Sequence, residues 1–527
     1  MMSMAIPTGP GNESAVSGSS SKQTDEAQLR GLYELTFAAD PGSVHPFFDL
    51  VFRVSFTRPA GQVTVAEGFY DGGRTFRCRA YCDVPGTWEW RVSANVPGLA
   101  DASGRFHVVP SALPGKLRID PTDCYQFAYD NGSWFLHIGD TGYRYLSASE
   151  SGWRVYLDQA VEMGATKIRT WFCEGRSDVR VLFADGRRTF NLAYWQEMDR
   201  RLLYALKAHP HVVFEVIPYG EDTEELRRYD MGDAASRTIA AYAQARFSAL
   251  PNVMWCFSND RQIVREEESV LEDHQVRAST IEQIGREMRE REPWGTLLTN
   301  HQCRFSGYDF AGSSWSNVVT LEDIDQVHGR LLRDYRGRAR APIVNDEDRY
   351  ETYRGPVHPR YFFRRLMWGS LLSGGHATYG GLRTYEPCDG QTQGMHGYFD
   401  ACRDGRLQEG AHDFCAIHRF FRERDLTLVG MTPDDAICGD QPLRSKCIRD
   451  EKAVIVYLAN PSGDTPETDD ASDTPVCVSL EVPKGKHLAE WYNPVSGSFR
   501  HVGSVSAGPR ELETPGMGDW VLLLRKA

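Results

Sequence analysis

The stretch Leu250–Asp260 (LPNVMWCFSND) is typical of a buried parallel strand that ends in polar chemistry. A short apolar run follows the Leu-Pro pair and stops abruptly at an amide, Asn259, and a carboxylate, Asp260. Active sites of α/β barrels lie at the carboxyl ends of the strands, so this pattern favours a barrel with catalytic groups at the end of the run. Taken alone, the same pair is more typical of an ordinary turn or helix cap.

A second stretch, Ala341–Glu347 (APIVNDE), repeats the pattern of an apolar run that ends in acids. Glu347 lies 347 − 260 = 87 residues after Asp260, which leaves room for three strand–helix units between the two runs. In an eight-stranded barrel the runs are then the fourth and seventh strands, on opposite sides of the mouth. Two acids placed there suit chemistry on opposite faces of one sugar ring.

Between residues 113 and 430 strand-like runs alternate with amphipathic helical segments. The predicted strands are Trp134–Asp140, Ala165–Phe172, Val212–Pro218, the opening stretch itself, Thr296–Asn300, Val318–Thr320, Ile343–Val344 and Gly374–Gly380. Parallel strands need crossover helices, so these eight units predict an α/β fold of the (β/α)₈ type, a TIM barrel. A long charged helix is expected between the fourth and fifth strands, from about Val264 to Arg291.

Both flanks of the predicted barrel have the alternating pattern of antiparallel β-sandwiches. Residues 29–112 are expected to form an N-terminal, Ig-like sandwich, and residues 431–527 a C-terminal one with a disordered polar insert at Gly463–Asp473. Residues 1–28 are rich in small polar residues and predict a flexible tail, because they cannot bury enough apolar surface to offset the entropy of ordering.

Length and charge limit the classes of partner. A chain of 527 residues with 59 basic and 72 acidic side chains carries a formal charge of −13, which disfavours nucleic acid. No run approaches the roughly 18 apolar residues that cross a bilayer, and the N-terminus has no apolar core of a secretory signal. We therefore expect no membrane association and a cytoplasmic location.

The 12 cysteines show no paired metal-ligand spacing. Those at Cys78, Cys256, Cys447 and Cys477 lie in apolar or strand-like runs and are expected to be buried free thiols rather than disulfides. Cys173 and Cys303 follow predicted strands and are expected to line the pocket without acting as nucleophiles.

Acids, histidines and aromatics cluster after the predicted strands. The set comprises Asp140; Arg169 with Glu174; Tyr219 with Glu221 and Asp222; Asn259 with Asp260; His301 with Gln302; Asp323 with His328; Glu347; and His376 with Tyr379. Such a set is typical of a pocket for a polar, hydroxyl-rich ligand. Cleavage of a glycosidic bond needs one carboxyl group to protonate the departing oxygen and another to attack or to activate water.

Ordered motifs along the chain are similar to those of apiosidase-like glycosidases, a group within the retaining (β/α)₈ clan. They are Ile138–Thr141 with Tyr143, Arg246–Asp260, Pro342–Glu347 with Tyr350 and Glu351, Ser373–Gly380, and on the flanks Gly68–Gly72, Gly86–Trp90 and Trp491–Pro494 with Gly497. The resemblance covers nearly everything after the tail, including a sandwich on either side of the barrel.

The resemblance implies roles for three residues. Asp260 would be the general acid/base, Glu347 the nucleophile of a retaining double displacement, and Asn259 the group that holds the sugar 2-hydroxyl. Asp260 departs from the clan, which more often has Glu there, and its shorter side chain leaves an inverting mechanism open because the carboxyl separation could exceed about 5.5 Å. Rivals to Asp260 are Glu174 and Glu221, and neighbours that compete with Glu347 are Asp346 and Glu351.

Other strand-end residues are expected to line the substrate pocket, each with a structural alternative. Arg169 is expected to orient Glu347 as a buried ion-pair partner, because an unpaired charge there would be too unfavourable. The remaining candidates are Asp140, Trp171, Glu174, Tyr219, His301, His328, His376 and Tyr379. A metal site built from His301, Asp323, His328 and His376 is not expected, since no pair has a recognised ligand spacing.

These observations predict a glycoside hydrolase without a cofactor, exo-acting and retaining, that cleaves plant- or microbe-derived oligosaccharides or glycosides. The expected partner is the carbohydrate substrate; a homo-oligomer stays open. Two alternatives are a carbohydrate-binding protein whose barrel has lost catalysis and a metal-dependent hydrolase on the same barrel. The sugar itself is not determined, because the loops after the strands shape the pocket.

Overall fold

The computed structural model describes residues 25–147, 153–172, 182–220, 224–265, 271–272, 274–304, 306–322, 329–350, 360–380, 409–439, 444–463 and 471–527. Helices and strands are numbered in chain order. Over these ranges, no helix combines the length and apolar character needed to cross a bilayer.

The N-terminal domain packs two sheets around a core that includes Trp88. Its strands are β1 Glu26–Gln28, β2 Leu32–Ala38, β3 Phe52–Thr57, β4 Val63–Glu67, β5 Phe69–Gly72, β6 Thr75–Tyr81, β7 Gly86–Ala94 and β8 Ser103–Val109. The sheets have the orders β1-β8-β7-β3-β4 and β2-β6-β5. Residues 26–28, assigned above to the tail, pair with β8 and bury Ala27, so the ordered domain begins earlier than predicted.

A small antiparallel sheet, β9 Leu117–Ile119, β10 Phe127–Tyr129 and β11 Trp134–Phe135, precedes the barrel. Its apolar side chains pack with Val213, Met254, Leu297, Val318 and Val344 from the lower ends of the barrel strands, so it plugs the amino-terminal end of the barrel. The predicted first barrel strand was therefore too long. Trp134 and Phe135 pair with β10, and only Gly139 and Asp140 join the barrel.

The barrel strands are β12 Gly139–Asp140, β13 Lys167–Trp171, β16 Val213–Ile217, β17 Val253–Cys256, β20 Leu298–Thr299, β21 Val319–Glu322, β22 Ile343–Glu347 and β23 His376–Tyr379. They form one parallel sheet in the order β20-β17-β16-β13-β12-β23-β22-β21. A backbone hydrogen bond of 2.9 Å from Asn317 to Leu298 links the two ends of the sheet. The predicted TIM barrel is confirmed.

The outer layer consists of helices α1 Trp153–Glu162, α2 Leu192–Ala208, α3 Glu225–Asp230, α4 Ala234–Phe247, α5 Ala278–Arg291, α6 Arg330–Arg336, α7 Arg360–Leu372 and α8 Phe414–Arg424. Short 3₁₀ turns lie at Asp185–Arg187, Glu409–Asp413 and Asp435–Cys438, and short strand pairs are β14 Phe183–Ala184 with β15 Thr189–Phe190 and β18 Gln262–Val264 with β19 Gln275–Arg277. The helix predicted from Val264 is thus wrong in its first half, because β18 and β19 pair there and α5 begins only at Ala278.

The C-terminal domain is one sheet of β24 Thr432–Pro433, β25 Ser445–Arg449, β26 Ala453–Leu458, β27 Cys477–Asn493, β28 Ser498–Glu513 and β29 Trp520–Lys526. Its order is β24-β25-β26-β29-β27-β28. Val478 and Leu480, in the first half of β27, pack against Val454 and Val456 of β26. The long sheet therefore folds over and encloses an apolar core, as a sandwich does. Most of the predicted polar insert, 464–470, lies outside the described residues.

Buried ion pairs attach both flanking domains to the barrel. Asp519 of the C-terminal domain forms ion pairs with Arg364 and Arg365 of α7. On the N-terminal side, Arg79 pairs with Asp199 of α2, which also receives Arg246 of α4. Such pairs tolerate loss of one member poorly, so the three domains are built as one unit.

Cys78, Cys256 and Cys447 are buried free thiols, as predicted, but Cys477 is exposed because it begins β27 with its side chain on the solvent face. Cys303 is half-buried after β20, and burial raises the pKa of its thiol. Cys173 lies outside the described residues.

Candidate active site

Glu347 is the last residue of β22 and lies buried at the carboxyl end of the barrel. Its Oε2 accepts a hydrogen bond from the Tyr143 hydroxyl, and its Oε1 accepts one of 2.5 Å from the Tyr350 hydroxyl. The Arg169 Nη1 lies 3.4 Å from Oε2. Burial raises the pKa of Glu347, and the positive charge of Arg169 opposes this shift. Arg169 therefore stabilises the ionised form of the buried carboxyl group.

Arg169 lies on β13 with its side chain fully buried, and it contacts both Glu347 and Asn259. Its Nη1 donates to the Tyr143 hydroxyl and to the backbone carbonyl of Asp346, each at 2.7 Å. Its Nη2 donates to Asn259 Oδ1 at 2.9 Å. Because a guanidinium presents its donors in a rigid plane, these bonds fix Asn259 and Glu347 relative to one another.

Asn259 and Asp260 lie just beyond the end of β17, after Phe257 and Ser258, at the strand end that the opening stretch predicts. Asp260 has φ +47°, in the left-handed region that favours glycine and that aspartate adopts more readily than most other residues, so the chain turns sharply here. His301 Nδ1 lies 3.1 Å from the backbone N–H of Asp260 and 3.1 Å from Asn259 Oδ1. This imidazole therefore braces the turn that carries both residues.

Glu322, which the sequence pattern did not predict as a site residue, ends β21 and is the register partner of Glu347 on β22. Arg304 Nε lies 2.8 Å from its Oε1, and His301 Nε2 lies 3.6 Å from its Oε2. Burial, then the neighbouring charges of Glu347 and Asp260, raise the pKa of Glu322 to about 10. The sixth strand extends two residues beyond its predicted end at Thr320, and this extension places Glu322 in the site.

Below this cluster lies a second layer of charge inside the barrel. Lys167 Nζ contacts both carboxylate oxygens of Asp346 at 2.6 and 2.7 Å, and it also pairs with Glu215. Burial alone would raise the pKa of Asp346, but Lys167 and Arg169 hold it well below its ordinary value. Asp346 is thus an ionised member of a buried network, although it lies one residue before Glu347.

The structure brings together five of the predicted site residues: Arg169, Asn259, Asp260, His301 and Glu347. Trp171 joins them through Tyr143, on whose ring it stacks with centroids 4.6 Å apart. Glu174 and His328, with Glu221, Asp222, Asp323 and Glu351, lie outside the described residues.

Four predicted site residues point elsewhere. Asp140 accepts a 2.6 Å hydrogen bond from Tyr156 of α1, and the Tyr219 hydroxyl donates to the Ser236 carbonyl of α4 at 2.9 Å. The Tyr379 ring packs against Phe363 and Phe414 in the helical layer. His376 begins β23 rather than following it, and its Nε2 lies 3.1 Å from the Tyr125 carbonyl near the plug. Side chains alternate along a strand, which explains why strand-end position alone does not direct them into the barrel.

Three buried groups, His301, Glu322 and Glu347, have ligand atoms within 4.8 Å of one another, a spacing that a metal ion could bridge. The same carboxylates already face two cations, Arg169 at 3.4 Å and Arg304 at 2.8 Å, whose charge would oppose a divalent ion. Both oxygens of Glu347 also accept tyrosine hydroxyls. The cluster does not fit a metal ion, and we assign no metal site to it.

Comparisons with known proteins identify the family of the barrel domain. Residues 122–427 match the family model described as the apiosidase-like catalytic domain, and residues 31–95 match a domain of unknown function, DUF5060. A comparison with curated proteins finds no match.

Solved structures show the same fold. One, described as a candidate glycoside hydrolase from Bacteroides vulgatus, is 16% identical with a TM-score of 0.73, over 96% of this chain and 100% of that chain. Another, described as a glycoside hydrolase of family 5 from the same organism, is 15% identical with a TM-score of 0.60, over 79% of this chain and 95% of that chain. The family model spans more than half of the sequence, so the chain belongs to the apiosidase-like family and is a glycosidase whose barrel is the catalytic domain.

Proposed function

We propose that this glycosidase cleaves its substrate with retention of anomeric configuration, with Glu347 as nucleophile and Asp260 as general acid/base. The observation that carries the proposal is the setting of Glu347. Its carboxylate is buried, held by Tyr143, Tyr350 and Arg169, and tied through that arginine to the Asn259-Asp260 turn across the barrel.

In the first step Glu347 attacks the anomeric carbon while Asp260 donates a proton to the departing oxygen. The hydroxyls of Tyr143 and Tyr350 keep the carboxylate from rotating and aim it into the pocket. In the second step Asp260 removes a proton from water, which attacks the glycosyl–enzyme and frees Glu347. The proton count closes, because Asp260 regains in the second step the proton it gave in the first.

Asn259 supports the first step by holding the sugar. Its Oδ1 is occupied by Arg169, whereas its buried Nδ2 has no hydrogen-bond partner among the described residues. A buried donor without a partner is unfavourable in the empty protein, and a sugar hydroxyl would satisfy it. The 2-hydroxyl is the nearest candidate, since it adjoins the anomeric carbon that Glu347 attacks.

The substrate class is an oligosaccharide or glycoside of plant or microbial origin, attacked at a chain end. The family description, apiosidase-like catalytic domain, supports a glycosidic substrate. The retaining mechanism is supported by the firmly held, ionisable Glu347, which suits a nucleophile better than a base that must only orient water.

The test is turnover of a panel of aryl glycosides by the wild-type chain, Asp260→Asn and Glu347→Gln. We expect loss of activity in both variants and, for the wild type, a first-formed sugar of the substrate's own anomeric configuration in ¹H NMR. Normal turnover by both variants would overturn the proposal. Inversion of the first-formed sugar would overturn the role of Glu347 as nucleophile.

A further inference from the structure

A cleft of about 400 Å³ lies at the amino-terminal end of the barrel, between the plug and the last turn of α8. Trp134 of β11, Thr166 before β13 and His211 before β16 line it. Because Glu347 and Asp260 lie at the carboxyl ends of the strands, the cleft is on the opposite side of the barrel from the candidate active site. Its volume is that of an ordinary ligand pocket, and the proposed mechanism gives it no role.

Two aromatic side chains form one wall of the cleft. Trp134 is half-buried, and its ring meets that of Phe421 edge-on with centroids 5.1 Å apart. The indole Nε1 of Trp134 donates to Gln126 Oε1 at 3.1 Å, so the orientation of the ring is fixed before any ligand binds. An aromatic ring of fixed orientation offers an apolar contact surface at little entropic cost.

Polar side chains of the cleft are available to a ligand. Arg424 of α8 pairs with Glu490 at 2.9 Å. By contrast, the side chains of Arg422, Asp425 and His211, which line the cleft, make no hydrogen bond or ion pair with any residue that the structure describes. The guanidinium offers donors, the carboxylate offers acceptors, and the imidazole can do either. A ligand can bind these groups without breaking a bond inside the protein.

His418 is half-buried in the same cleft and adds an acceptor. Its Nε2 lies 2.7 Å from the carbonyl oxygen of Gly164 and must donate to it, since a carbonyl oxygen only accepts. Burial lowers the pKa of this imidazole, so the ring is neutral at pH 7 and its Nδ1 carries no proton. The cleft therefore combines an aromatic wall with both donors and acceptors.

We propose that this cleft is a second carbohydrate-binding site, which holds a short segment of a glycan chain away from the bond that the active site cleaves. A sugar ring presents apolar C–H faces, which suit Trp134, and hydroxyls that both donate and accept, which suit Arg422 and Asp425. A polyanion is disfavoured, because a carboxylate stands beside the guanidinium.

The site keeps the enzyme attached to a long glycan while the active site acts elsewhere on it. This inference rests on the membership of the chain in a glycosidase family and not on the retaining mechanism.

Affinity electrophoresis tests the site. The parent is Glu347→Gln, which should not cleave the polymer, and it is run in native gels that contain soluble arabinoxylan, galactomannan, pectic galactan or yeast mannan. We expect at least one of these polysaccharides to retard the parent. In the same background Trp134→Ala should weaken binding by about tenfold or more, as loss of a tryptophan from the centre of an interface does. Arg422→Ala and Asp425→Asn, which each remove hydrogen bonds, should weaken it by about threefold.

The matched controls are Trp90→Ala, which removes a half-buried tryptophan of the N-terminal domain, and Arg105→Ala, which removes an exposed arginine of β8. Both should be retarded as much as the parent. Arg422 and Asp425 are exposed, so their variants decide the question if Trp134→Ala does not fold.

A second readout is turnover in the wild-type background. With Arg422→Ala, kcat/KM for a small aryl glycoside should be unchanged, whereas sugar release from the retarding polysaccharide should fall by about threefold. Equal losses on the two substrates would overturn the inference.

Two outcomes of the electrophoresis would also overturn it: no retardation in any gel, and equal retardation of the parent and all three cleft variants. Retardation that disappears in about 0.5 M NaCl would do so as well, because it would show ion attraction alone. If the wild type cleaves no glycoside, the proposed function fails while the electrophoresis still decides this site.

Discussion

The two charged layers inside the barrel differ in how completely their groups are paired. In the lower layer Lys167 contacts both oxygens of Asp346 and also pairs with Glu215, and Thr378 donates to Asp346 as well. In the upper layer the Nδ2 of Asn259, the Nε2 of His301 and the Oε2 of Glu322 have no hydrogen-bond partner among the described residues.

The difference indicates that the lower layer has a structural role and the upper layer a role in binding and catalysis. Close ion pairing below gives a rigid base, and the donors and acceptors without partners above are left for a substrate. Asp346 and Glu347, adjacent on β22, belong one to each layer. Replacing Asp346 and Glu347 each by its amide should distinguish the structural role of the lower layer from the catalytic role of the upper one.

The largest expected effect is on activity. Glu347→Gln removes the nucleophile of the upper layer, and kcat should fall by about 10⁴-fold or more, as when a nucleophile is removed from other covalent catalysts. The unfolding temperature should change little, because the amide oxygen can still accept one tyrosine hydroxyl and the amide NH2 can donate to the oxygen of the other. Steady-state kinetics and calorimetry on the same preparation check both parts. A large loss of stability would place Glu347 with the lower layer.

The next effect is on stability. Asp346→Asn leaves Lys167 and Arg169 with less compensating charge in a fully buried setting, and the free energy of unfolding should fall by about 3–5 kcal/mol. Urea unfolding of the variant beside Glu347→Gln measures the contrast. Equal stability of the two variants would remove the distinction between the layers.

Removal of the tyrosine hydroxyls that hold Glu347 should lower activity by a smaller factor. Tyr143→Phe and Tyr350→Phe each remove one hydrogen bond to a carboxylate, a contribution of about 1.5–3 kcal/mol, so kcat/KM should fall by roughly 10- to 150-fold. Tyr145→Phe, whose hydroxyl donates to the Arg201 carbonyl outside the site, is the control. Activity that is unchanged in both site variants would show that Glu347 needs no such support.

The pH dependence of stability should also distinguish the upper layer. The folded state raises the pKa of Glu322 from 4.5 to about 10, so its proton stabilises the fold below the lower value, and that contribution is lost as pH rises towards the upper one. Glu322→Gln has no such proton to lose. The fall in unfolding temperature between pH 5 and pH 9 should therefore be smaller in the variant. An identical fall in both proteins would contradict a protonated Glu322.

The smallest expected effect is that of metal removal. Since Arg169 and Arg304 already face the carboxylates, incubation with EDTA followed by gel filtration should leave kcat/KM unchanged. Loss of activity on chelation, restored by a stoichiometric divalent ion, would favour a metal-dependent hydrolase instead.

The sequence predicts the parts of the molecule that depend on local pattern. Apolar runs that end in Asn259-Asp260 and in Glu347 correctly locate the fourth and seventh strands, and alternation correctly predicts the flanking sheets. These features follow from the run length and the periodicity of apolar residues, which can be read from neighbouring positions in the sequence.

Features that depend on pairing between distant segments were not predictable. Glu322 faces Glu347 through a register irregularity at Leu321 and Glu322, and no local pattern encodes that irregularity. Trp134 and Phe135 look like a barrel strand until β10 pairs with them. His376 lies at the opposite end of the barrel from Glu347 because β23 begins there, which depends on its pairing with Val344.

Glu347 is the proposed nucleophile of a retaining glycosidase. The most direct measurement is mass spectrometry of the peptide that contains Glu347 after incubation with a panel of activated 2-deoxy-2-fluoro glycosides, which slow the second step more than the first. We predict a glycosyl adduct on Glu347 and none in Glu347→Gln. An adduct on Glu322 or Asp260 in the wild-type chain would contradict this role of Glu347.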